Sequence, residues 1–372
     1  MRIIHCILGK ANPERMNGVN RVVNELATKQ QQANKNVEVW GISKNIEHNY
    51  PERTFSTRLY KEAVLQFIVP RKLKKDILQL DASETIFHLH GGFIPLYPAL
   101  VRTLRKKSIR YIITPHGAYN KLALNKNPFI KKIYTQLFEK TILRHAHYIH
   151  CLGKSETDII KTFIAPEKIK VIPYGFEQPV NSDLETHQKN KSLVFGYCGR
   201  IDIHTKGLDL LMQGFANFLT QSKADAYLNI IGGGTELPRL TALASALGVA
   251  DKVIFSGAKY GKEKFTLLQE MDVFFHPSRN EGLPTAVLEA SMLGIPCVLS
   301  EETNMGEYIR KSGCGIMLER NDANTIQNTM ALFHQQKQIN ALHKTHTEKI
   351  KKLAEFFNWK TIIPQFEKLY LG

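Results

Sequence analysis

The chain contains 372 residues, of which 43% are hydrophobic and 23% are charged. These fractions lie near the averages of globular proteins and exclude wholesale disorder, collagen-like repeats and a coiled-coil rod. The length exceeds what one ordinary hydrophobic core holds, so it predicts two domains. No window holds 18 uncharged apolar residues, and the opening apolar run is too short for a signal peptide, so we expect a cytoplasmic protein.

The formal net charge of +16 is unevenly distributed. Residues 1–175 contain 29 Lys and Arg against 13 Asp and Glu, whereas residues 176–372 contain 21 of each kind. Such asymmetry predicts an anionic partner for the first half of the chain, which would be a nucleic acid, an anionic membrane face or an acidic substrate.

Short β-branched runs alternate with helical patterns along most of the chain. They predict strands at residues 2–8, 37–42, 85–90, 111–115, 148–152 and 170–173, and then at 193–198, 227–231, 252–256, 273–277 and 296–300. Helical patterns include residues 206–219, 285–293 and 345–371, the last with breaks near Asn358 and Pro364. This alternation is typical of parallel sheets with helices on both faces, so we predict a doubly wound α/β architecture.

A polar, turn-rich segment from Pro173 to about Ser192 separates the two sets of strands and predicts a linker. We therefore assign residues 1–175 to a first Rossmann-like domain and residues 176–372 to a second. Packing of the last helix against the first domain is the alternative. Two such domains facing across a cleft would bring together the carboxyl ends of both sheets, where folds of this kind bind ligands.

The first strand of the second half ends at Gly199 and Arg200, and a helix opens after Lys206 and Gly207. Cations beside backbone N–H groups and a positive helix end form the arrangement that holds a phosphate or pyrophosphate. The alternative is that Arg200 and Lys206 are ordinary solvated cations.

A second loop, residues 276–284, links a strand to the predicted helix at 285–293. Asn280 and Gly282 suit a tight turn near a ligand, and Pro284 suits the first helical position. Glu281 lies in the loop, and Glu289 lies roughly 7 to 8 Å further along the helix axis. This offset would let the two carboxylates bind two polyols across a diphosphate. Glu289 stands among apolar residues and needs a partner, either a ligand or a salt bridge.

Several features argue against bound metal. The sequence contains no D-x-D, and its D-x-E, at Asp183 and Glu185, lies in the linker. Cations and a helix dipole would therefore have to neutralise a diphosphate. The five cysteines stand singly in apolar runs, which predicts reduced thiols and no structural zinc. His88 and His90 lack accompanying carboxylates or cysteines, so we expect buried or hydrogen-bonded imidazoles.

Two positions of the first half follow predicted strands. Gly18, after Asn17, opens a helix and is a second candidate phosphate contact. His116 lies between Pro115 and Gly117 at the carboxyl end of a strand, where a side chain enters a cleft.

These residues, in this order, resemble a GT-B retaining glycosyltransferase of family 4. This group (group 1) includes bacterial polysaccharide and lipopolysaccharide sugar transferases. The resemblance rests on Asn17-Gly18, Thr114-Pro115-His116-Gly117, Ile172-Pro173-Tyr174-Gly175, Gly199-Arg200 with Lys206-Gly207, and Pro277-Ser278 through Glu289-Ala290. The most specific motif is the E-x7-E frame of Glu281 and Glu289, followed by Gly294-Ile-Pro-Cys-Val.

The resemblance implies roles for these residues. Arg200 and Lys206 would bind the donor diphosphate, Glu281 the hydroxyls of the transferred sugar, and Glu289 the ribose hydroxyls. It also implies that His116 lies near the reacting sugar and that backbone N–H groups in the stretch Gly282, Leu283 and Pro284 contact the sugar or the distal phosphate. Gly18 would lie where the facing domain approaches. Gly306-Glu307 would occupy the acidic position that closes the donor site.

Two positions depart from the family pattern. Asn17 stands where the family often has a first of two glycines, which bears on the approach to the diphosphate. Tyr174 stands where an Asn is common, a change that we expect to affect hinge geometry.

The resemblance implies transfer of a hexose, with retention and without a metal cofactor, from a nucleotide-diphosphate sugar to a saccharide or lipid-linked saccharide during surface polysaccharide, lipopolysaccharide or O-antigen synthesis. Basic residues interleaved with apolar ones at 71–75, 102–110 and 121–132 predict peripheral binding to the inner face of the cytoplasmic membrane. Solvated basic helix faces are the alternative.

Other functions compete with this hypothesis. A basic nucleic-acid-binding protein would fit the charge, but no stacking aromatic platform or known nucleic-acid motif accompanies the cations. A sugar-nucleotide epimerase or a glycoside phosphorylase would keep the fold. The phosphorylase usually has a longer chain, and the epimerase lacks the E-x7-E frame.

Overall fold

The computed structural model describes residues 1–13, 18–125, 127–162, 164–177, 192–338 and 346–372. The chain divides into two compact units, Met1–Gly175 together with Trp359–Gly372, and Phe176–Asn358. Asn17 and the linker positions Asp183 and Glu185 lie outside the described residues. The last helix thus belongs to the first unit, which is the alternative that the sequence left open, and the second unit ends at Asn358. The physical reason is its apolar face, which is buried there.

The first unit contains a parallel sheet. Its strands are β1 (Arg2–Leu8), β2 (Asn36–Ser43), β3 (Ser56–Lys61), β4 (Thr85–His90), β5 (Arg110–Thr114), β6 (Tyr148–Cys151) and β7 (Ile169–Val171). Their order in the sheet is β3-β2-β1-β4-β5-β6-β7. The helices that precede residue 175 are α1 (Gly18–Gln32), α2 (Arg71–Leu78), α3 (Tyr97–Lys106), α4 (Lys121–Asn125), α5 (Pro128–Tyr134), α6 (Lys140–His145) and α7 (Lys154–Ile160), with a π-helical turn, Thr135–Glu139, between α5 and α6.

The second unit repeats this plan. Its parallel strands are β8 (Leu193–Cys198), β9 (Ala226–Ile231), β10 (Val253–Gly257), β11 (Val273–His276), β12 (Cys297–Leu299) and β13 (Gly315–Met317), in the order β10-β9-β8-β11-β12-β13. The helices are α8 (Ile203–Lys206), α9 (Leu208–Ser222), α10 (Leu237–Ala246), α11 (Gly261–Gln269), α12 (Thr285–Met292), α13 (Gly306–Ser312), α14 (Ala323–Gln338) and α15 (His346–Phe356); the chain then returns to the first unit as α16 (Trp359–Leu371). Both units are doubly wound, which confirms the predicted fold class.

All eleven predicted strands are present, with ends that differ by at most two residues. Two strands were not predicted. β3 is a polar edge strand in which Leu59 and Tyr60 are the buried residues, so its apolar period is too short to recognise. β13 has only three residues and pairs with β12 at the other edge of its sheet.

The predicted helix at 206–219 is wrong at its start. Gly207 adopts a positive φ of 68° and separates α8 from α9. Only glycine fits here, because φ is positive and a Cβ would lie 2.0 Å from the carbonyl oxygen of Pro277. Near the C terminus the chain breaks at Asn358, as predicted, but Pro364 lies within α16 on its exposed face.

Each unit has its own apolar core around the central strands of its sheet. The five cysteines are buried free thiols, as their apolar neighbours predicted. Within the described residues, no helix combines the length and hydropathy that a bilayer crossing requires.

Candidate functional site

The loops that follow β8 and β11 lie side by side, because these two strands are neighbours in the second sheet. The Ser278 hydroxyl donates to the Thr205 carbonyl at 3.0 Å, and the Arg279 amide donates to the same oxygen at 2.8 Å. The Arg279 guanidinium also forms two bonds to Asp209, of 2.7 and 2.8 Å. The two loops predicted to bind phosphate are therefore tied to each other at the carboxyl edge of the sheet.

Lys206 and Glu281 meet where these loops join. Lys206 Nζ lies 2.6 Å from Glu281 Oε1, and His276 Nε2 lies 2.7 Å from the same oxygen. Burial alone would raise the pKa of Glu281, but the Lys206 charge and the hydrogen bond from His276 outweigh it and lower the pKa to about 2. Glu281 is thus an ionised acceptor held by two donors, and the structure brings Lys206 and Glu281 together as predicted.

His276 received no role from the sequence. It is the last residue of β11, its ring stacks on Tyr197 with centroids 5.5 Å apart, and its Nε2 donates to Glu281. Its Nδ1 is buried and has no hydrogen-bond partner among the described residues. Its position at a strand end before Pro277 is the signal that could have identified it.

The loop that carries Glu281 is held from behind by Asn304. The Asn304 side-chain amide donates to the carbonyls of Glu281 and Gly282, at 3.0 and 2.9 Å. Pro284 precedes α12 as its N-cap residue and not as its first helical residue. Since proline has no N–H, Gly282 and Leu283 are the members of the predicted stretch that can donate to a ligand.

Glu289 is buried in α12, with 2% of its surface exposed. Lys264 of α11 lies 2.7 Å away, Nζ to Oε1. The salt bridge that the sequence left open is therefore present, and its partner comes from the neighbouring helix. A buried carboxylate requires such a partner, and the ribose contact stays a prediction.

Arg200 and Glu307 lie in more exposed surroundings. The Arg200 side chain is 59% exposed and pairs with Asp202 at 3.1 Å, while Asp202 also caps α8 by accepting from the Thr205 amide. Glu307, next to Gly306 at the start of α13, pairs with Lys311 of its own helix. The structure thus keeps Arg200 beside the loop of Lys206, and the role of Glu307 at the donor site stays a prediction.

In the first unit, His116 directly follows β5 and Pro115, with a positive φ of 55°. Its Nε2 lies 3.0 Å from His90 Nδ1, and Tyr174 stacks on its ring with centroids 5.8 Å apart. Burial lowers the pKa of His116 to about 3, so the imidazole is neutral at physiological pH. Tyr174, expected to affect only the hinge, is therefore part of the surroundings of His116.

Two other predictions concern the first unit. Both ring nitrogens of His88 are hydrogen-bonded, at 2.9 Å to the Tyr370 hydroxyl and at 2.6 Å to Thr114, which confirms the expected hydrogen-bonded imidazole. Gly18 is the first residue of α1, and a Cβ there would meet no atom within 4 Å.

Residues 16–177 match the family model described as Glycosyltransferase Family 4, and residues 181–352 match the one described as Glycosyl transferases group 1. An uncharacterized glycosyltransferase of Methanocaldococcus jannaschii is 24% identical over 276 residues, 72% of this chain and 69% of that protein. A GDP-mannose:cellobiosyl-diphosphopolyprenol alpha-mannosyltransferase of Xanthomonas campestris is 26% identical over 244 residues, 64% of this chain and 61% of that protein.

Among solved structures, that of the Anabaena protein HepE in complex with UDP and glucose matches with a TM-score of 0.70 and 14% identity, covering 100% of each chain. The likeness shows a shared fold. Because the two family models together cover both parallel-sheet units, the chain belongs to the GT-B glycosyltransferases of family 4, enzymes of glycan biosynthesis.

Proposed function

We propose that this glycosyltransferase transfers a sugar from a nucleoside diphosphate sugar, with retention and without a metal ion, to a hydroxyl of a lipid-linked saccharide in surface polysaccharide synthesis. The observation that carries the proposal is the largely buried cluster of Lys206, Glu281 and His276 at the carboxyl ends of β8 and β11. Two similar proteins support it, since one is a GDP-mannose-dependent mannosyltransferase and the other was solved in complex with UDP and glucose.

Lys206 and Arg200 would bind the diphosphate of the donor. Breaking the anomeric bond leaves negative charge on the departing diphosphate, and fixed cations aimed there stabilise the transition state more than the ground state. Lys206 already faces a carboxylate at 2.6 Å, so its ammonium is held in place at the loop where the diphosphate would bind. One lysine and one arginine would then neutralise the diphosphate, as a divalent ion does in other enzymes.

Glu281 would accept hydrogen bonds from the hydroxyls of the transferred sugar. Its pKa of about 2 keeps it ionised, and an ionised carboxylate accepts stronger hydrogen bonds than a neutral group. Gly282 and Leu283 would donate their amides to the sugar or the distal phosphate, and Glu289 would bind the ribose. The roles proposed for the first unit are a contact of His116 with the reacting sugar and one of Gly18 with a phosphate. For retention, the acceptor hydroxyl would attack beside the leaving phosphate, which takes its proton.

The test is a screen of UDP-sugars and GDP-sugars, followed by thermal shift and by donor turnover with a chelator present. We expect one class of donor to raise the melting temperature and to be consumed slowly without added metal, and we expect the anomeric configuration of the product to match that of the donor. Loss of turnover with chelator would overturn metal independence, and an inverted product would overturn retention. If no sugar nucleotide binds, the donor assignment is wrong.

The first unit also offers a surface for an anionic membrane. Two segments expose large apolar side chains, and the ring of Phe67 lies 6.4 Å from that of Phe138 between centroids, so the segments are neighbours. We name this surface the apolar patch; its exposed members are Val64, Leu65, Phe67, Ile68, Phe129, Ile130, Ile133 and Leu137. Helix α5, which carries three of them, buries none of its residues.

Helix α2 adds charge to this surface. It buries Leu73 and Ile77. Its four cations, Arg71, Lys72, Lys74 and Lys75, are exposed. Apolar side chains flanked by cations suit the interface of an anionic bilayer, where area burial and charge attraction add. We therefore propose peripheral binding at the inner face of the cytoplasmic membrane, where a lipid-linked acceptor would lie.

Sedimentation with phosphatidylglycerol vesicles tests this surface. We expect binding at low salt, loss of binding at high salt, and roughly tenfold to hundredfold weaker binding for Ile130→Ser, because one buried isoleucine contributes about 1.5 to 3 kcal/mol. Ile254→Ser is the matched control, since Ile254 is also exposed but lies on β10 of the second unit. Equal binding to neutral vesicles, or equal weakening in the control, would contradict the proposal.

A further inference from the structure

Four buried histidines and the partly buried His116 form a row through the first unit, and the row ends at His116. His5 comes from β1, His88 and His90 from β4, and His150 from β6. All four are almost completely inaccessible, and strands β1, β4, β5 and β6 are successive neighbours in the sheet. The five histidines are therefore distant in the sequence, and the sheet brings them together.

Hydrogen bonds connect the row without a gap. His116 Nε2 lies 3.0 Å from His90 Nδ1, and His90 Nε2 lies 2.9 Å from His5 Nδ1. His5 Nε2 lies 2.7 Å from Gln30 Oε1. The Gln30 amide nitrogen lies 3.0 Å from the hydroxyl of Tyr370, on α16.

The row of hydrogen bonds continues from Tyr370. Its hydroxyl lies 2.9 Å from His88 Nδ1, and His88 Nε2 lies 2.6 Å from Thr114 Oγ1. Thr114 Oγ1 lies 2.7 Å from His150 Nδ1, and His150 Nε2 lies 2.7 Å from the carbonyl oxygen of Ile172. The row thus ends on a group that can only accept.

Each imidazole of the row is neutral, which means that each carries one proton. Burial lowers the pKa of His5 and of His150 to about 4, and it lowers the pKa of His88 and His90 well below 6.5. A neutral imidazole has one donor nitrogen and one acceptor nitrogen, so each ring transmits a direction from one hydrogen bond to the next.

The Ile172 carbonyl sets that direction. Because it only accepts, His150 Nε2 must donate, so His150 Nδ1 accepts from the Thr114 hydroxyl. Thr114 then accepts from His88 Nε2, and His88 Nδ1 accepts from Tyr370. Continuing through Gln30, which donates to Tyr370 and accepts from His5, the row requires His90 Nδ1 to accept from His116 Nε2.

We propose that this row holds His116 as the tautomer protonated on Nε2, leaving Nδ1 as a hydrogen-bond acceptor, and that Gln30 and Tyr370 are positioning residues for His116. The opposite direction would place two acceptors, His150 Nε2 and the Ile172 carbonyl, 2.7 Å apart in a buried site. Buried acceptors left without a donor are costly, so the row has one favourable direction.

If the proposed function holds, this tautomer selects the kind of contact that His116 makes. An unprotonated Nδ1 accepts from a hydroxyl and repels a phosphate oxygen. His116 would therefore bind a sugar hydroxyl and contribute no charge to the departing diphosphate. This consequence rests on the proposed function, whereas the tautomer itself does not.

His5, His88 and His90 are also close enough to be considered as a metal site, since their ligand atoms lie within 4.8 Å of one another. The hydrogen bonds described above engage both ring nitrogens of all three. A metal would have to displace several of these bonds, so the row accounts for these histidines without one.

Long-range proton–nitrogen correlation spectra of the full-length protein, labelled with nitrogen-15 in histidine, test the proposal at neutral pH. We expect His116 to show a protonated Nε2 and a pyridine-like Nδ1. In Tyr370→Phe, the Gln30 amide loses the contact that orients it, so the Nδ1 resonance of His116 should shift toward the protonated position. Tyr97→Phe is the matched control, because it removes a buried hydroxyl that bonds the backbone carbonyl of His90 and leaves the row intact.

Thr114→Val interrupts the row of hydrogen bonds at a second position and preserves side-chain volume. Without the hydroxyl, His88 Nε2 loses its acceptor, the row is expected to reverse, and His116 should carry its proton on Nδ1. The proposal would be overturned if His116 of the wild-type protein were protonated on Nδ1, or if neither Tyr370→Phe nor Thr114→Val changed the His116 spectrum. A protein with the expected tautomers that consumes no sugar nucleotide would retain this inference and lose the proposed function.

Discussion

The two units are built on similar parallel sheets, but the histidine row of the first and the loops and helices of the second bury different kinds of polar group. The first unit holds a row of neutral imidazoles that terminates on a backbone carbonyl. The second holds ion pairs, Lys206 with Glu281 and Lys264 with Glu289. One fold thus supports both a site without net charge and a site built from charges.

The difference has a functional consequence. Charges that are already buried and paired can be redirected to a ligand, because the desolvation cost was met when the protein folded. Neutral imidazoles cannot bind a diphosphate in this way, but they fix which nitrogen accepts a hydrogen bond. Under the proposed function, the second unit would bind the donor diphosphate and the first would bind a group that is recognised without charge.

Acid should separate the two units most strongly. The five row histidines take up protons near pH 6.5 when unfolded but stay neutral when folded, so their contribution is present above pH 6.5 and is lost as the pH falls. Glu139 and Glu156 act in the opposite sense, because burial raises the pKa of each to about 7. Because five histidines outnumber two glutamates, unfolding takes up protons below pH 6.5, and the first unit should lose stability as the pH falls below about 6.

Tryptophan fluorescence can follow this transition in one unit. The chain has two tryptophans, and both Trp40 and Trp359 lie in the first unit. We expect their fluorescence to change before the remaining far-UV ellipticity is lost. A single transition in which both signals change together would remove the distinction between the units.

Loss of the Glu281 carboxylate should affect turnover next most strongly. Glu281→Ala removes the proposed acceptor for the sugar hydroxyls and takes the carboxylate away from Lys206, and Lys206→Ala removes the proposed cation for the diphosphate. In each variant we expect kcat/KM to fall by about 100-fold to 1,000-fold, equivalent to about 3 to 4 kcal/mol. Steady-state kinetics with the identified donor measures the change.

Glu302→Gln is the control for this comparison. Glu302 is exposed, and its backbone carbonyl accepts from the Glu281 amide, a contact that the substitution keeps. Its rate should stay within about twofold of wild type. Near-normal turnover in Glu281→Ala and Lys206→Ala would remove the second-unit site from the mechanism.

The smallest expected effect concerns stability. Lys264→Met takes the ammonium away from Glu289 but keeps the aliphatic length, so it leaves a buried carboxylate with one fewer donor. We expect the free energy of unfolding to fall by about 3 kcal/mol. Lys262→Met, at an exposed position of the same helix, should change it by less than about 0.5 kcal/mol. Equal melting temperatures would show that Glu289 does not depend on its lysine.

The sequence predicted the eleven strands that have clear apolar periods and the loops that follow β8 and β11. It did not predict β3 or β13, since one is a polar edge and the other has three residues. It singled out Lys206, Glu281 and Glu289, but it did not assign the partners His276 and Lys264. Those partners depend on which strands and helices become neighbours, which local patterns do not encode.

By itself, the sequence determined the doubly wound fold class, the division of charge between the halves and the residues of the E-x7-E frame, because periodicity, composition and motifs are local properties of the chain. Only the tertiary structure decided which side chains meet. Lys206 and Glu281 are 75 positions apart, and His88 and Tyr370 are 282 positions apart. The return of α16 to the first unit places Tyr370 in the histidine row, and no local pattern carries that contact.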